Sequence, residues 1–331
     1  MPSIAAIIVN WNAPELTARA VRSLLPEARQ LDAQLVVVDN GSTDGSADAL
    51  EAEFGGSSRV RIVALPRNLG FGGGVNAGIR ASNAELLALL NNDAEARPGF
   101  LRALADAFEG PDGRRLGAAT GRILLRGRWR EATPAEVERA TESGATVLRD
   151  GAGRAFVEDE ARGVERINST GNVVDASGNG GDRDWLAPAE GPGAPDSPDE
   201  VFGFCGGAAM LRRRALDEVG VFDERLFMYY EDTDLSWRLR RAGWGIRYVA
   251  DAVVVHDHAA SSGGASARFL RWNARNRVLV AARHGGPRMA AEAVARTALR
   301  AVRTAVSPRR RLEHRAVVAA LGDLMLGRRG R

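Results

Sequence analysis

The chain has 331 residues, of which 45% are apolar and 26% charged, and its formal net charge is +3. This composition excludes global disorder and leaves room for one or two domains with a substantial core. The single cysteine, Cys205, excludes an intramolecular disulfide framework and is typical of a reducing compartment. The apolar run at the N-terminus is too short for a signal sequence or a membrane span, so a cytoplasmic protein is expected.

The first 90 residues alternate between strand and helix patterns. Asn12 can cap a first helix that carries Pro14 and Glu15 in its first turn, and residues 42–54 and 70–82 predict two more helices. The order β-α-β-α-β-α-β predicts an α/β fold with a mostly parallel, Rossmann-like sheet flanked by helices. Apolar runs without strict alternation predict its doubly buried strands at residues 3–9, 34–39, 60–65 and 85–90.

Polar motifs follow these strands, where parallel sheets bind their ligands. Asp39 in DNGSTDGS can accept hydrogen bonds from a base or ribose, or can be an ordinary turn residue. The glycines of NLGFGGGVNAG, residues 68–78, let backbone N–H groups approach a phosphate or sugar, although a plain connector is the alternative. In LLNNDA we assign Asp93 to a divalent cation and Asn92 to ribose, and a capping role for Asp93 stays open.

The second half of the chain has a different organisation. Gly, Pro and charged residues accumulate at 126–200, which predicts a long, partly mobile insertion. An acid-led helix that stops at Gly243 and a strand pair at 246–258 are expected next. Basic helices at 268–283, 288–306 and 312–326 end the chain. The expected units are a nucleotide-sugar-binding half at 1–125, the insertion at 126–200, an acceptor and catalytic half at 201–285, and a basic tail at 286–331.

The acid-led helix begins in FMYYEDTDLSWR. Asp232 falls on one stripe with Leu235 and Leu239, so it is expected to face the protein body and is a candidate general base. Glu231 and Asp234 lie off that stripe, and Asp234 is expected on a solvated face. The alternative is that all three acids only complement the helix N-terminus.

Two histidines, His256 and His258, lie on one face of a predicted strand end, with Asp257 opposite. His256 could complete a metal site and His258 could contact phosphate. A purely structural pair is the alternative.

In their order, these motifs resemble the inverting family-two glycosyltransferases with the A-type glycosyltransferase fold, especially the bacterial rhamnosyltransferase-like branch. The resemblance covers residues 3–124 and about 201–283 and is carried by IVNWN, DNGSTDGS, NLGFGGGVNAG, LLNNDA, FCGGAAMLRR, GVFDERLFMYYEDTDLSWRLRRAGW and VVVHDH. In that family an Asp-x-Asp-like motif holds a divalent cation on the donor diphosphate. Here the motif reads Asn91–Asn92–Asp93, with one acid.

The resemblance implies roles for individual residues. Mn²⁺ or Mg²⁺ would be held by Asp93 and His256, and Asp232 would be the catalytic base. The nucleotide sugar would contact Val9, Trp11, Asp39, Asn68, Gly72 and Asn92. The acceptor would contact Gly206, Gly207, Tyr229, Tyr230 and Glu231.

The implied reaction is inverting transfer of a sugar from a nucleoside-diphosphate sugar to a hydroxyl of a glycan or lipid-linked acceptor, in cell-surface polysaccharide assembly. Deoxythymidine-diphosphate rhamnose is the donor that the branch suggests. A sugar nucleotidyltransferase is one alternative, but it would place a basic, glycine-rich loop where this chain has Asn10–Trp11–Asn12. The other alternative is a non-catalytic subunit that binds a sugar nucleotide or a polysaccharide. Such a subunit would show no sugar transfer with any donor.

The C-terminal tail differs in charge from the rest of the chain. Residues 268–331 hold 16 arginines and three acidic residues, a balance of +13, which leaves −10 for residues 1–267. Apolar residues at helical spacing, Val294, Leu299, Val302 and Val306, predict peripheral contact with the anionic inner face of the cell membrane. A basic helix packed on the acidic body, or an oligomer contact, is the alternative. No nucleic-acid partner is expected.

Overall fold

The computed structural model describes residues 2–257, 266–306 and 310–327. One large sheet with strand order β3-β2-β1-β4-β13-β6-β14-β5 organises the molecule, and β10 adds to it beside β6. The strands are β1 (Ile4–Asn10), β2 (Gln34–Asp39), β3 (Val60–Ala64), β4 (Leu86–Asn91), β5 (Ala94–Ala96), β6 (Leu116–Leu125), β7 (Trp129–Glu131), β8 (Val147–Arg149), β9 (Ala155–Glu158), β10 (Ile167–Ser169), β11 (Asn172–Val174), β12 (Gly180–Asp182), β13 (Ala208–Arg212) and β14 (Gly245–His256).

Helices cover both faces of this sheet. They are α1 (Pro14–Gln30), α2 (Ser46–Phe54), α3 (Gly70–Arg80), α4 (Phe100–Asp106), α5 (Gly110–Gly113), α6 (Pro134–Glu142), α7 (Arg213–Val219), α8 (Glu231–Arg241), α9 (Ala267–His284), α10 (Gly286–Ala305) and α11 (Arg311–Met325).

The first four strands form as predicted and pair in parallel. Alternate side chains of β1 enter two separate cores: Ile8 packs on the face of α1, and Ile7 on the face of α3. Because both faces are buried, the strands show continuous apolar runs rather than alternation. The α/β fold with a mostly parallel sheet is therefore confirmed.

One antiparallel strand, β13, lies between β4 and β6 and makes the sheet mixed. It begins beside the end of β4, where the Asn91 N–H donates to the Gly207 carbonyl at 3.0 Å. This pairing brings the second half of the chain to the polar edge of the first half.

Local predictions fail at two helix starts and one strand. Asn12 does not cap α1: it adopts a left-handed φ of 51°, and its Oδ1 accepts a hydrogen bond from the Thr43 N–H at 2.8 Å. The second helix begins at Ser46, four residues later than predicted. The expected strand pair at 246–258 is a single strand, β14, with a register shift between Val249 and Val253.

The segment predicted as a partly mobile insertion is folded. Its first part holds α6, which a Thr133–Glu136 capping box opens, and a small sheet of order β7-β9-β8. A separate apolar core forms beneath them around Trp129 and Phe156. Its second part adds β10 to the main sheet and forms the β11–β12 hairpin. The composition predicted a partly mobile segment because this unit is small and its surface is polar. The predicted unit boundaries stay predictions.

The three C-terminal helices, α9, α10 and α11, pack against one another through small residues. Ala274, Ala301 and Val317 share one core cluster, and Arg271 bonds Asp323 at 2.7 Å. Within residues 2–257, 266–306 and 310–327, no helix is both long and apolar enough to cross a membrane.

Candidate active site

The ends of β1 and β2 carry a buried polar network. Asp39 accepts hydrogen bonds from Asn10 Nδ2 at 2.7 Å and from the Ser42 hydroxyl at 2.5 Å. Asn10 also accepts from Thr17 Oγ1, which in turn accepts from Asn92 Nδ2 at 3.4 Å. The network thus joins two residues predicted to bind the nucleotide sugar. Their side chains are bonded to protein here, so contact with base and ribose stays a prediction.

The glycine-rich segment brings three elements close together. A Cβ at Gly74 would lie 2.6 Å from Val9 Cγ1 on β1, and one at Gly70, whose φ is 79°, would overlap the Phe227 carbonyl oxygen. Gly72 faces the Phe222 side chain. Close packing therefore explains these glycines, and the nucleotide-sugar role of Gly72 stays a prediction.

Two further residues predicted for the donor lie near this loop. Asn68 Oδ1 accepts from the Gly70 N–H at 2.8 Å and so fixes the start of α3. Trp11 leaves 40% of its surface exposed just after β1. An exposed aromatic ring at a strand end is available for stacking on a base.

Asp93 and His256, 163 residues apart, meet at the end of the sheet. His256 Nε2 lies 3.0 Å from Asp93 Oδ1, and His256 Nδ1 lies 2.8 Å from Asn168 Oδ1. An amide oxygen can only accept, so Nδ1 donates to Asn168, and a cation between Nε2 and Asp93 Oδ1 would take the place of a proton there. Asn168 belongs to β10, in the segment that the sequence resemblance left out.

This pair fits a divalent cation shared with a substrate. Two neighbouring ligands of an octahedral Mg²⁺ at about 2.1 Å are roughly 3.0 Å apart, as Asp93 Oδ1 and His256 Nε2 are. Across the described ranges no cluster of three or more His, Cys, Asp or Glu is arranged to hold a metal. Such a cation would therefore need oxygens of the diphosphate as well. His258, predicted to contact phosphate, lies outside the described residues.

Asp232 lies in the first turn of α8 and faces the start of β13. Its Oδ2 accepts from the Gly206 N–H at 3.1 Å, and its Oδ1 from the Thr233 N–H at 2.6 Å. Burial raises the pKa of Asp232, although these bonds and one from Asn172 oppose the rise. A half-buried carboxylate held by backbone donors suits a general base.

The β11–β12 hairpin adds a second acid to this site. Asn172 pairs with Asp182 across the hairpin, and Asn172 also bonds Asp232. The surrounding protein raises the pKa of Asp182 to about 6, and the charge of Asp232 adds to this while that of His256 opposes it. Asp182 thus lies within electrostatic reach of both the metal pair and the base. Asp93, Asp182 and Asp232 therefore lie in the same region, at one edge of the main sheet.

Glu231 and Asp234 are both buried, and for Asp234 this contradicts the expectation of a solvated face. Glu231 is 6% exposed with Oε2 lacking a hydrogen-bond partner in the described chain, and burial raises its pKa well above the usual range. Acceptor contact by Glu231 stays a prediction. Asp234 is fully buried and bonds Arg238, Arg283 and His284, because α9 covers that face of α8.

The segment before α8 has an unusual backbone. Phe227, Tyr229 and Tyr230 all have φ between 65° and 70°, a region that costs roughly 1–2 kcal/mol per non-glycine residue. Asn276 of α9 holds it: its Nδ2 donates to the carbonyls of Leu226, Met228 and Tyr229 at 2.8–2.9 Å. Sequence reasoning missed Asn276, because a lone polar residue on a helix gives no signal.

The predicted acceptor residues divide into two groups. Gly206 and Gly207 lie just before β13, beside Asp232 and Asn91 respectively. The two tyrosines serve packing as well: Tyr229 contacts the Phe269 ring, and the buried Tyr230 hydroxyl accepts from the Gly180 N–H at 3.0 Å. Their acceptor roles stay predictions.

Comparison with known proteins identifies the family. Residues 5–148 match the family model Glycosyl transferase family 2, and residues 195–305 match Glycosyl transferase family group 2. The chain belongs to glycosyl transferase family 2. It is an inverting glycosyltransferase, which takes a nucleotide-sugar donor and an acceptor.

Two relatives come from Mycobacterium tuberculosis. This family-two chain is 29% identical over 271 residues to an N-acetylglucosaminyl-diphospho-decaprenol L-rhamnosyltransferase, with 78% of each chain covered. It is 27% identical over 244 residues to a pre-mycofactocin glycosyltransferase, with 73% of this chain and 40% of that one covered.

Solved structures confirm the A-type glycosyltransferase fold. GalNAc-T7 with UDP, GalNAc and Mn²⁺ matches with a TM-score of 0.59 and 17% identity, over 85% of this chain and 48% of that one. The mannosyltransferase PcManGT from Pyrobaculum calidifontis, in complex with GDP-Man and Mn²⁺, matches with a TM-score of 0.55 and 15% identity, over 98% of this chain and 88% of that one.

Proposed function

We propose that this glycosyltransferase transfers rhamnose from deoxythymidine-diphosphate rhamnose to a hydroxyl of a lipid-linked glycan in cell-surface polysaccharide assembly. The observation that carries the transfer chemistry is that Asp182 lies within electrostatic reach both of His256, which contacts Asp93, and of Asp232. The likeness to the mycobacterial L-rhamnosyltransferase, over 78% of both chains, supports the donor and the acceptor class.

Asp93, His256 and Asp232 divide the chemistry between them. A divalent cation bound by Asp93 and His256 would neutralise charge on the departing nucleoside diphosphate. Asp232 removes the proton from the acceptor hydroxyl, which attacks the anomeric carbon on the face opposite the leaving group. Inversion follows from that geometry. An ordinary Asp has a pKa of about 3.9, and the raised pKa of Asp232 makes it a stronger base.

Calorimetry with Mn²⁺ tests the donor half of this proposal. Asp93→Ala and His256→Ala should each lose metal-dependent binding of the nucleoside-diphosphate sugar, and the exposed Asp106→Ala should bind as wild type does. Equal metal-dependent affinity in all four proteins would contradict the assigned ligands. A panel of donors identifies the sugar, since the true donor with Mn²⁺ raises the melting temperature most.

We further propose that α10 and α11 attach the enzyme to an anionic membrane. Val302 on α10 and Val306 just after it are 66% and 84% exposed, and Met325 on α11 is 87% exposed, among many arginines. Apolar side chains beside cations suit the interface of anionic lipids. Val302→Asp with Val306→Asp should reduce co-sedimentation with phosphatidylglycerol vesicles, whereas Val173→Asp, on β11, should not. Equal sedimentation of both proteins would refute the attachment.

A further inference from the structure

A cavity of about 190 Å³ lies between the β11–β12 hairpin and helices α9 and α10. Drug-sized ligands use pockets of roughly 300–1,000 Å³, so this cavity suits a smaller group. Its lining is mostly polar or cationic, with one aromatic side, and consists of Asn179, Tyr230, Phe269, Leu270, Asn273, Ala274, Arg277, Thr297 and Arg300. Its two arginines give it an affinity for anions.

Of the two arginines that line the cavity, Arg277 is the one with no carboxylate partner among the described residues. One terminal nitrogen donates to Thr297 Oγ1 at 2.6 Å and to the Ala293 carbonyl at 3.1 Å. Its Nε is buried with no hydrogen-bond partner, and within the described ranges Arg277 forms no ion pair. Burying a charge without an opposite charge is costly. An anion in the cavity would remove that cost.

The other charges around the cavity do not cancel Arg277. Arg300 lines the cavity and bonds Glu313 through Nε at 2.6 Å, which leaves its terminal nitrogens for a ligand. Asp175 lies near Arg277, but its Oδ1 accepts from Ser177 and from the Asn179 N–H, within its own loop. An anion entering the cavity therefore meets two guanidinium groups.

The cavity lies a short distance from the candidate base. Asn179 and Tyr230 line it, and Asp232 follows two residues after Tyr230. Asp182, three residues after Asn179, lies within electrostatic reach of Asp232. Three residues span at most about 11 Å, so one bound molecule can reach from the cavity towards Asp232.

We infer that this cavity binds the phosphate or diphosphate that links the acceptor sugar to its carrier. The inference rests on the proposed function and deepens it, since it places the charged end of the acceptor between α9 and α10 and its sugar against the hairpin. Phe269 and Leu270, on the same lining, offer an apolar surface beside the anion for the start of a lipid chain.

Titration calorimetry in a chelating buffer tests the site with inorganic pyrophosphate and farnesyl diphosphate as probes. Arg277→Gln and Arg300→Gln should each weaken binding of both probes at least tenfold. Arg303 is an exposed arginine on α10, as Arg300 is, and Arg303→Gln should leave the affinity for both probes unchanged. Arg300 is exposed, so its substitution tests the site even where Arg277→Gln lowers the stability of the fold. Unchanged affinity in both cavity variants would overturn the inference.

Two further results separate this site from the donor site. Pyrophosphate binding should persist in Asp93→Ala, and its loss there alone would show that the probe occupies the donor site instead. Farnesyl diphosphate should bind at least as tightly as pyrophosphate. Weaker binding would overturn the acceptor assignment, because it would mean that the cavity does not accommodate a diphosphate attached to a lipid. Mn²⁺-dependent donor binding in Arg277→Gln tests the proposed function separately. If Arg277→Gln keeps its Mn²⁺-dependent donor binding and also binds pyrophosphate as wild type does, only the cavity assignment fails.

Discussion

The side chain of Asn276 should affect the turnover number kcat indirectly, through the backbone segment that it holds in place. Its Nδ2 is the shared donor for three carbonyls of the segment that leads into α8, and that segment holds three non-glycine residues at positive φ. Asn276→Asp keeps the shape of the side chain but replaces the donor by a second acceptor. The carbonyls of Leu226, Met228 and Tyr229 then face an oxygen.

The expected magnitude follows from those bonds. Each buried acceptor that loses its donor costs about 1–3 kcal/mol, and an amide has only two N–H groups to give. The three left-handed residues already store roughly 3–6 kcal/mol of strain that these bonds oppose. A loss of about 3 kcal/mol lowers the population of the active geometry about a hundredfold, because about 1.4 kcal/mol corresponds to a factor of ten.

Steady-state transfer assays with a donor and an acceptor measure this effect. We expect kcat of Asn276→Asp to fall about a hundredfold while metal-dependent donor binding is retained, since Asp93 and His256 are held by other elements. Asn83→Asp, the same change at an exposed asparagine, should keep wild-type kcat. A kcat for Asn276→Asp within threefold of wild type would refute the role assigned to the Asn276 hydrogen bonds.

Three other predictions concern stability. Asp234→Asn should lower the free energy of unfolding by about 1.5–3 kcal/mol in chemical denaturation, because Asn keeps the size of the side chain but loses the charge-assisted bonds to Arg238 and Arg283. The pKa values of Asp234 and Asp223 are lowered, since hydrogen bonds and cations outweigh the effect of burial, so their stabilisation is complete above the unfolded value of about 3.9. Thermal unfolding should therefore shift to lower temperature as pH falls below about 4, and a flat profile there would contradict this. Gly70→Ala should destabilise far more than Gly45→Ala, because both have positive φ but only Gly70 faces the Phe227 carbonyl; equal melting temperatures would show that φ alone matters.

The sequence predicted the first half of the fold well because its strands are buried on both faces. Continuous apolar runs such as 34–39 can form few other structures, and the polar residues after them fall at one edge of a parallel sheet. Helical spacing predicted that Asp232 faces the body beside Leu235 and Leu239, and its bond from the Gly206 N–H agrees, but the spacing did not reveal that Glu231 and Asp234 are more buried.

Long-range contacts account for what the sequence did not predict. The prediction of a solvated Asp234 was wrong because spacing along one helix does not reveal that α9 covers a second face of α8. Asp182 and Asn168 lie in a glycine-rich stretch whose short strands bury little apolar surface, so only pairing with the main sheet and across the hairpin positions them. One signal was available: two short segments separated by a five-residue loop that contains Gly178 are typical of a hairpin.

Turnover by Asp232→Asn measures the central assignment most directly. The substitution keeps the size of the side chain and removes its basicity, and general-base catalysis contributes typically about 10²–10⁴-fold. We expect sugar transfer to fall by about that factor while the affinity for nucleoside-diphosphate sugar with Mn²⁺ stays at the wild-type value. Transfer at a near-wild-type rate would contradict the assignment of Asp232 as the group that takes the acceptor's proton.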